Sequence, residues 1–85
     1  MEQHLATVSI LLRKREKNAQ ALNEILTKHS QVIMARLGVN VEPKCIEDCY
    51  GIIALCVQGT TEQISALTNE VDELIDATVK EVVLV

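Results

Sequence analysis

The chain has 85 residues, of which 48% are hydrophobic and 24% charged, and its formal net charge is −4 at neutral pH. This length predicts one small domain. The negative charge gives no general attraction to nucleic acids or acidic membranes, and one aromatic residue, Tyr50, offers almost no stacking surface for bases. The sequence contains no apolar run long enough to span a membrane, and residues 1–4 lack a basic signal segment. We therefore expect a cytoplasmic protein that binds neither nucleic acid directly nor membranes.

The first half of the chain predicts a strand, a helix and a second strand. Apolar residues alternate through residues 4–12, which predicts a strand with one face made of Ala6, Val8, Ile10 and Leu12. Apolar residues recur at helical spacing over residues 16–29. Residues 31–41 are rich in apolar and β-branched types, which predicts a second strand with a bulge or bend at Gly38.

The second half repeats this order after a polar connection. Residues 42–49 contain the single proline and predict a loop. Residues 51–58 are apolar in both sets of alternating positions, which is typical of a central strand covered on both faces. Thr60 and Gln63 form a capping-box pattern before a helix over residues 61–74. Residues 77–85 predict the last strand.

The order β-α-β-β-α-β predicts an α+β, ferredoxin-like domain: a four-stranded antiparallel sheet with two helices on one face. The third and fourth strands offer apolar side chains to both faces of this sheet, whereas the helices cover one. In the third strand, one face has Ile52, Ala54 and Cys56 and the other has Ile53, Leu55 and Val57. In the fourth strand, one face has Val83 and Val85 and the other has Val82 and Leu84. We expect a second copy to cover the other face, giving a homodimer or higher homo-oligomer.

The three cysteines, Cys45, Cys49 and Cys56, are an odd number, which favours reduced thiols over a disulfide framework. Cys45 and Cys49 could hold a metal ion shared between two subunits. A single pair supplies only two of the four usual ligands, so loop cysteines without metal are favoured and no cofactor is expected. Cys56 is predicted to be a small buried residue of the third strand.

The charged residues leave alternatives open. The basic run over residues 13–17 could bind an anion, although a solvated helix start is favoured because the run has no glycine. Acidic residues late in the second helix indicate its solvent face, or pairing with the basic run of another subunit; they are Glu70, Asp72, Glu73 and Asp76.

Arg36 is unexpected inside an apolar strand. Together with Gly38 it is a candidate for ligand binding or subunit contact; the alternative is a charge that protects an exposed strand edge. The sequence has no Ser-His-Asp pattern, opposed carboxylate pair or phosphate loop, and these absences disfavour an enzyme.

Three segments carry a resemblance to a known family: SQVIMARLGV at residues 30–39, GTTEQISALT at 59–68 and TVKEV at 78–82. The chain resembles the iron-only hydrogenase system regulators, which look like ACT domains and like the ligand-binding half of nickel-responsive repressors. It departs from the family pattern at Ser65 and Asn69, where glycines are common. The resemblance implies a regulatory module that responds to a small effector or acts through a partner protein.

Overall fold

A computed structural model describes residues 2–42 and 44–85. Its elements are β1 (His4–Leu12), α1 (Arg15–Lys28), β2 (Ile33–Asn40), β3 (Gly51–Gly59), α2 (Thr61–Asp72) and β4 (Ala77–Val83). The strands form one antiparallel sheet in the order β2-β3-β1-β4. The predicted ferredoxin-like topology is therefore confirmed, and each predicted boundary lies within two residues of the observed one.

The core lies between the two helices and one face of the sheet. The alternating apolar residues predicted for β1 are all buried there, and they pack with side chains of both helices. The cluster includes Ala6, Val8, Ile10, Leu12, Leu22, Leu26, Leu55, Val57, Ile64, Leu67 and Val71. Because every large member is aliphatic, the domain is held by close packing of branched side chains without aromatic contacts.

The two helices begin in different ways. At α2, the Thr60 hydroxyl accepts from the Gln63 backbone N–H at 3.2 Å, while Gln63 Oε1 accepts from the Thr60 N–H at 2.9 Å. This is the predicted capping box. In contrast, α1 follows Lys14, which has a left-handed backbone (φ 52°) and provides no side-chain cap. The start of α1 must therefore be fixed by contacts from elsewhere in the chain.

The edge strand β2 is the least covered element of the sheet. Ile33 is partly buried, and every residue from Met34 to Asn40 is exposed. The register of β2 shifts between Ile33 and Ala35, so the bulge predicted at Gly38 is wrong. Gly38 pairs regularly with Ile53 and has no positive φ, and a Cβ at this position would meet no atom of the described residues within 4 Å. Among residues 2–42 and 44–85, no backbone or packing constraint thus requires glycine there.

The sheet face that the helices leave uncovered, here called the open face, is apolar mainly on β2 and β3. Ile52, Ala54 and Cys56 lie on this face, as predicted, and all three are exposed. The β2 residues paired with them are Val39, Leu37 and Ala35. The prediction for β4 was wrong in part: the strand ends at Val83, and its open-face positions include Thr78 and Lys80 beside Val82. Val82, Leu84 and Val85 are also exposed, so apolar side chains are present at both edges of the sheet, and the longest apolar run is on β2 and β3.

Candidate functional site

A groove runs between α1 and the helix side of β2, because the helices pack over the other strands and leave β2 uncovered. Arg36 and Gly38, the two candidate residues, both border this groove. They pair with Leu55 and Ile53, whose side chains face the helices. The structure therefore brings both predicted residues to one surface.

Two hollows lie along the groove. The first has a volume of about 380 Å³ and is lined by residues including Leu26, Ser30, Ile33 and Arg36. The second has a volume of about 130 Å³, and its lining includes Leu12, Arg15, Leu22, Asn23, Gly38 and Ile53. Each hollow thus combines an aliphatic wall with a guanidinium group.

A hydrogen bond from Arg36 to α1 crosses the groove. Arg36 Nη2 donates to Asn23 Oδ1 over 2.7 Å. Arg36 lines the first hollow and Asn23 lines the second, so this bond marks the boundary between them. It also explains how a charged side chain is accommodated in an apolar strand: the guanidinium is exposed and hydrogen-bonded rather than buried.

Arg15 provides the second cation of the groove. Its Nε donates to the Tyr50 carbonyl oxygen at 3.4 Å, and its side chain lies against Gly51, where an added Cβ would be 3.0 Å from Arg15 Cδ. Within residues 2–42 and 44–85, the carboxylate within 4 Å of a basic side chain is that of Glu70, which contacts Lys28 and His29. Neither groove arginine has a carboxylate partner in that part of the chain, so both can bind an anionic group.

The rest of the basic run does not join this site. Arg13 Nη1 donates to Thr78 Oγ1 at 2.8 Å, which turns that side chain toward β4. Lys14 and Lys17 are exposed at the start of α1. The run over residues 13–17 is therefore divided between two sides of the domain and does not form one basic patch.

Two of the acidic residues predicted to face solvent instead bind α1. Glu70 accepts from Lys28 Nζ at 2.8 Å, and His29 Nε2 lies 3.3 Å from the same oxygen. The hydrogen bond from Lys28, followed by that from His29, lowers the pKa of the Glu70 carboxyl. Asp76 Oδ2 accepts from Asn18 at 3.0 Å. These contacts join the second half of the chain to α1.

The connection between β2 and β3 contradicts the expectation of reduced thiols. Cys45 and Cys49 form a disulfide, because the turn brings their Cα atoms to 5.8 Å, a normal separation for this bond. Neither sulfur is then a thiolate that could bind a metal ion. Among the residues described, no three or more His, Cys, Asp or Glu side chains form a group that could hold one. Cys56 is exposed rather than buried, since it lies on the open face.

Glu16 links this disulfide-bonded segment to the start of α1. Its carboxylate accepts from the N–H groups of Asp48 at 3.0 Å and Cys49 at 3.1 Å, and the Arg15 N–H donates to the Cys49 carbonyl oxygen at 2.8 Å. The pKa of Glu16 is lowered, first by the hydrogen bond from its own N–H and next by that from Cys49. The first turn of α1 is thus fixed by the cysteine segment instead of by a side-chain cap.

Sequence reasoning identified Arg36 and Gly38 but missed Asn23, the specific role of Arg15, and Glu16. The sequence contains a signal for Arg15 and Asn23. Together with Ala19 they are spaced four residues apart, which places all three on one face of α1. Glu16 gave no such signal, because its partners are more than thirty residues away in sequence.

The family model called TM1266-like, described as "Iron-only hydrogenase system regulator, putative", matches residues 4–81. The chain belongs to this family. The resemblance found in the sequence is therefore confirmed. No curated protein matches the chain. Within the described ranges, no helix of this family member is long and apolar enough to cross a membrane.

Solved structures support the same fold. The uncharacterized protein TM1266 from Thermotoga maritima is 27% identical, with a TM-score of 0.87 over 99% of this chain and 100% of that one. The ACT domain of GTP pyrophosphokinase from Chlorobium tepidum is 14% identical, with a TM-score of 0.70 over 96% and 89%. The B. subtilis GlnK–ATP complex is 14% identical, with a TM-score of 0.59 over 96% and 84%. The last two similarities establish an ACT-like and PII-like fold.

The lowered pKa of Glu16 predicts a specific pH dependence of stability. The pKa of this carboxyl is lower in the folded chain than its ordinary value of 4.5. Its contribution to the free energy of unfolding is therefore present above pH 4.5 and is lost as the pH falls toward the lower folded pKa. In Glu16→Gln, the free energy of unfolding should decrease less as the pH falls. Urea denaturation between about pH 6 and about pH 3 measures it. Glu24→Gln, on the same helix, is the control and should retain the wild-type profile. An unchanged profile in Glu16→Gln would show that the contact is not significant.

Proposed function

We propose that the chain is a non-enzymatic, cytoplasmic regulatory domain of an iron-only hydrogenase system that assembles as a homo-oligomer and binds a small effector or partner protein beside β2. The observation that carries this proposal is the exposure of β2 on both sides. Its open side is apolar, and its helix side borders a groove with two arginines that have no carboxylate partner among residues 2–42 and 44–85. Membership of a regulator family supports the regulatory role.

The open side of β2 and β3 favours assembly with a second copy. Leu37 is 65% exposed, and Val39 and Ile52 are also exposed. With Ala35, Ala54 and Cys56 they form a continuous apolar surface on adjacent strands. Soluble monomers rarely leave contiguous apolar patches larger than a few hundred Å² in water. Two copies related by a twofold axis can cover this surface with the same residues from each.

The groove favours a small ligand that carries an anionic group and an apolar part. A guanidinium binds carboxylates and phosphates through paired N–H donors, and the aliphatic side chains of Leu12, Leu22 and Ile53 line the second hollow. Adenine nucleotides and amino acids both have this combination of charge and apolar surface. In the GlnK complex the ligand is ATP, and CPII from Thiomonas intermedia K12 has been solved bound to ADP, AMP and acetate.

An assembly through the open face predicts that Leu37→Glu produces monomers. The substitution places an unpaired carboxylate in the apolar contact, at a cost of several kcal/mol, so the dissociation constant should rise at least about 100-fold. Sedimentation equilibrium over a concentration series measures this change.

Ile75→Glu is the matched control, since Ile75 is 92% exposed in the turn between α2 and β4, at the opposite edge of the sheet from β2. It should associate as the wild type does. A wild-type chain that is monomeric at tens of micromolar or above, or equal effects of the two substitutions, would contradict the proposed interface.

A ligand in the groove predicts that Gly38→Val and Arg36→Gln both abolish its binding. The valine side chain enters the hollow at Gly38, where the backbone leaves space for it, and the glutamine removes a charged donor. Thermal-shift screening with amino acids, ATP, ADP and AMP, followed by calorimetric titration, tests this. Lys17→Gln, an exposed neighbour on α1, should bind normally. A bound compound that is insensitive to both groove substitutions would place the site elsewhere, and no binding at all would favour a ligand-free assembly scaffold.

The second candidate is the metal-binding or redox-responsive module considered for Cys45 and Cys49. The disulfide between them favours the redox form of this hypothesis. Anaerobic purification and elemental analysis distinguish the metal form, because a metal site would contain stoichiometric zinc or iron that the Cys45→Ser, Cys49→Ser double variant loses.

A further inference from the structure

We infer that Cys45 and Cys49 form a redox-active pair whose reduction by a dithiol changes the groove through Glu16 and Arg15. This inference rests on the proposed function only in taking the groove as the ligand site. The pair is reactive by position, since Cys45 is partly exposed and is followed by three exposed residues, whereas Cys49 is buried. A reductant can therefore approach the sulfur of Cys45.

The disulfide closes a short ring that includes a residue with a left-handed backbone. The two cysteines are four residues apart, and Asp48, between them, has a positive φ of 56°. Aspartate adopts this left-handed conformation more readily than most non-glycine residues, and the closed ring restricts the alternatives open to it. Once the ring opens, residues 46–48 can reach backbone conformations that the closed ring excludes.

The ring is directly connected to the start of α1. The N–H groups that Glu16 binds belong to Asp48 and Cys49, two members of the ring. The Cys49 carbonyl oxygen accepts from the Arg15 N–H. Lys14 provides no side-chain cap, so these contacts hold the first turn of α1 together with the Asn18 amide, which donates to the carbonyl oxygens of Arg13 and Lys14. A rearrangement at Asp48 must therefore alter the position of Glu16, Arg15 or both.

Arg15 carries the change into the groove. Its side chain lines the hollow at Gly38, binds the Tyr50 carbonyl oxygen directly after the ring, and lies against Gly51. The same guanidinium is one of the two cations proposed to bind an anionic ligand. The oxidised pair thus holds Arg15 in the position seen here, and reduction releases it.

The chemistry is a two-electron thiol–disulfide exchange. A thiolate of a dithiol reductant attacks Sγ of Cys45, and the Cys49 thiolate leaves and takes up a proton. The second reductant thiol then attacks the mixed disulfide, so that Cys45 leaves as a thiol and the reductant becomes a disulfide. The products are two cysteine thiols in the chain and one oxidised reductant, and an oxidant of the disulfide class reverses the step.

The test compares oxidised and dithiothreitol-reduced full chain by nuclear magnetic resonance, without any effector. We expect reduction to shift the signals of the Arg15 side chain and of the Gly38 amide, and to accelerate exchange of the Asp48 and Cys49 amides at least about tenfold. Cys56→Ser retains the pair and should respond like the wild type. Cys45→Ser lacks the pair and should not respond; because the main comparison uses the unaltered chain, it remains decisive even if this variant folds poorly.

Two outcomes would overturn the inference: resistance of the pair to dithiothreitol, or a response confined to residues 44–50 while the Arg15 and Gly38 signals stay unchanged. These outcomes are distinct from failure of the proposed effector binding. In that case the redox response would remain, but no compound would bind. If a compound does bind, its dissociation constant should differ at least about threefold between the two redox states, and equal values would count against coupling.

Discussion

The structure depends on how unevenly the helices cover the sheet, because two helices of fourteen and twelve residues pack against a sheet of four strands. They bury one face of β1 and β3, and β4 contributes Ala77 to the same core. The edge strand β2 receives almost no cover on either side. Because an exposed apolar edge is a site for further association, the parts of the molecule available for regulation follow from this one packing constraint.

The two sides of β2 have different chemistry, and this difference separates the proposed roles. The open side offers Leu37 and Val39, which suit a second copy of the chain. The helix side offers Arg36 beside the groove, which suits an anionic effector. A single strand that borders both surfaces provides a short physical connection between the proposed ligand site and the proposed assembly surface. Such coupling is the property that a sensor domain requires.

Most of the fold could be predicted from the sequence because its signals are local. The alternation of Ala6, Val8, Ile10 and Leu12 and the capping box at Thr60 each depend on residues a few positions apart. The site was harder to predict. Arg36 and Gly38 were identified because they interrupt an apolar strand, but their relation to Asn23 depends on how α1 packs over the sheet.

The errors have a common physical origin. The bulge was placed at Gly38 because glycine often marks one, whereas the register shift arises at Ile33 to Ala35, where β2 begins. Cys56 was expected to be buried because its neighbours are apolar, yet it faces the uncovered side. The disulfide was not expected because the pairing of Cys45 with Cys49 depends on the turn geometry between β2 and β3. Each of these features depends on tertiary contacts that the local patterns of one sequence do not reveal.

The central claim, that β2 and its open face are covered by another copy, is tested most directly by amide hydrogen exchange as a function of protein concentration. If it is correct, amides of β2 become more protected as concentration rises, while amides on the exposed faces of α1 and α2 keep the same exchange rates. Exchange of β2 that is the same at every concentration, in a chain that remains folded, would contradict it.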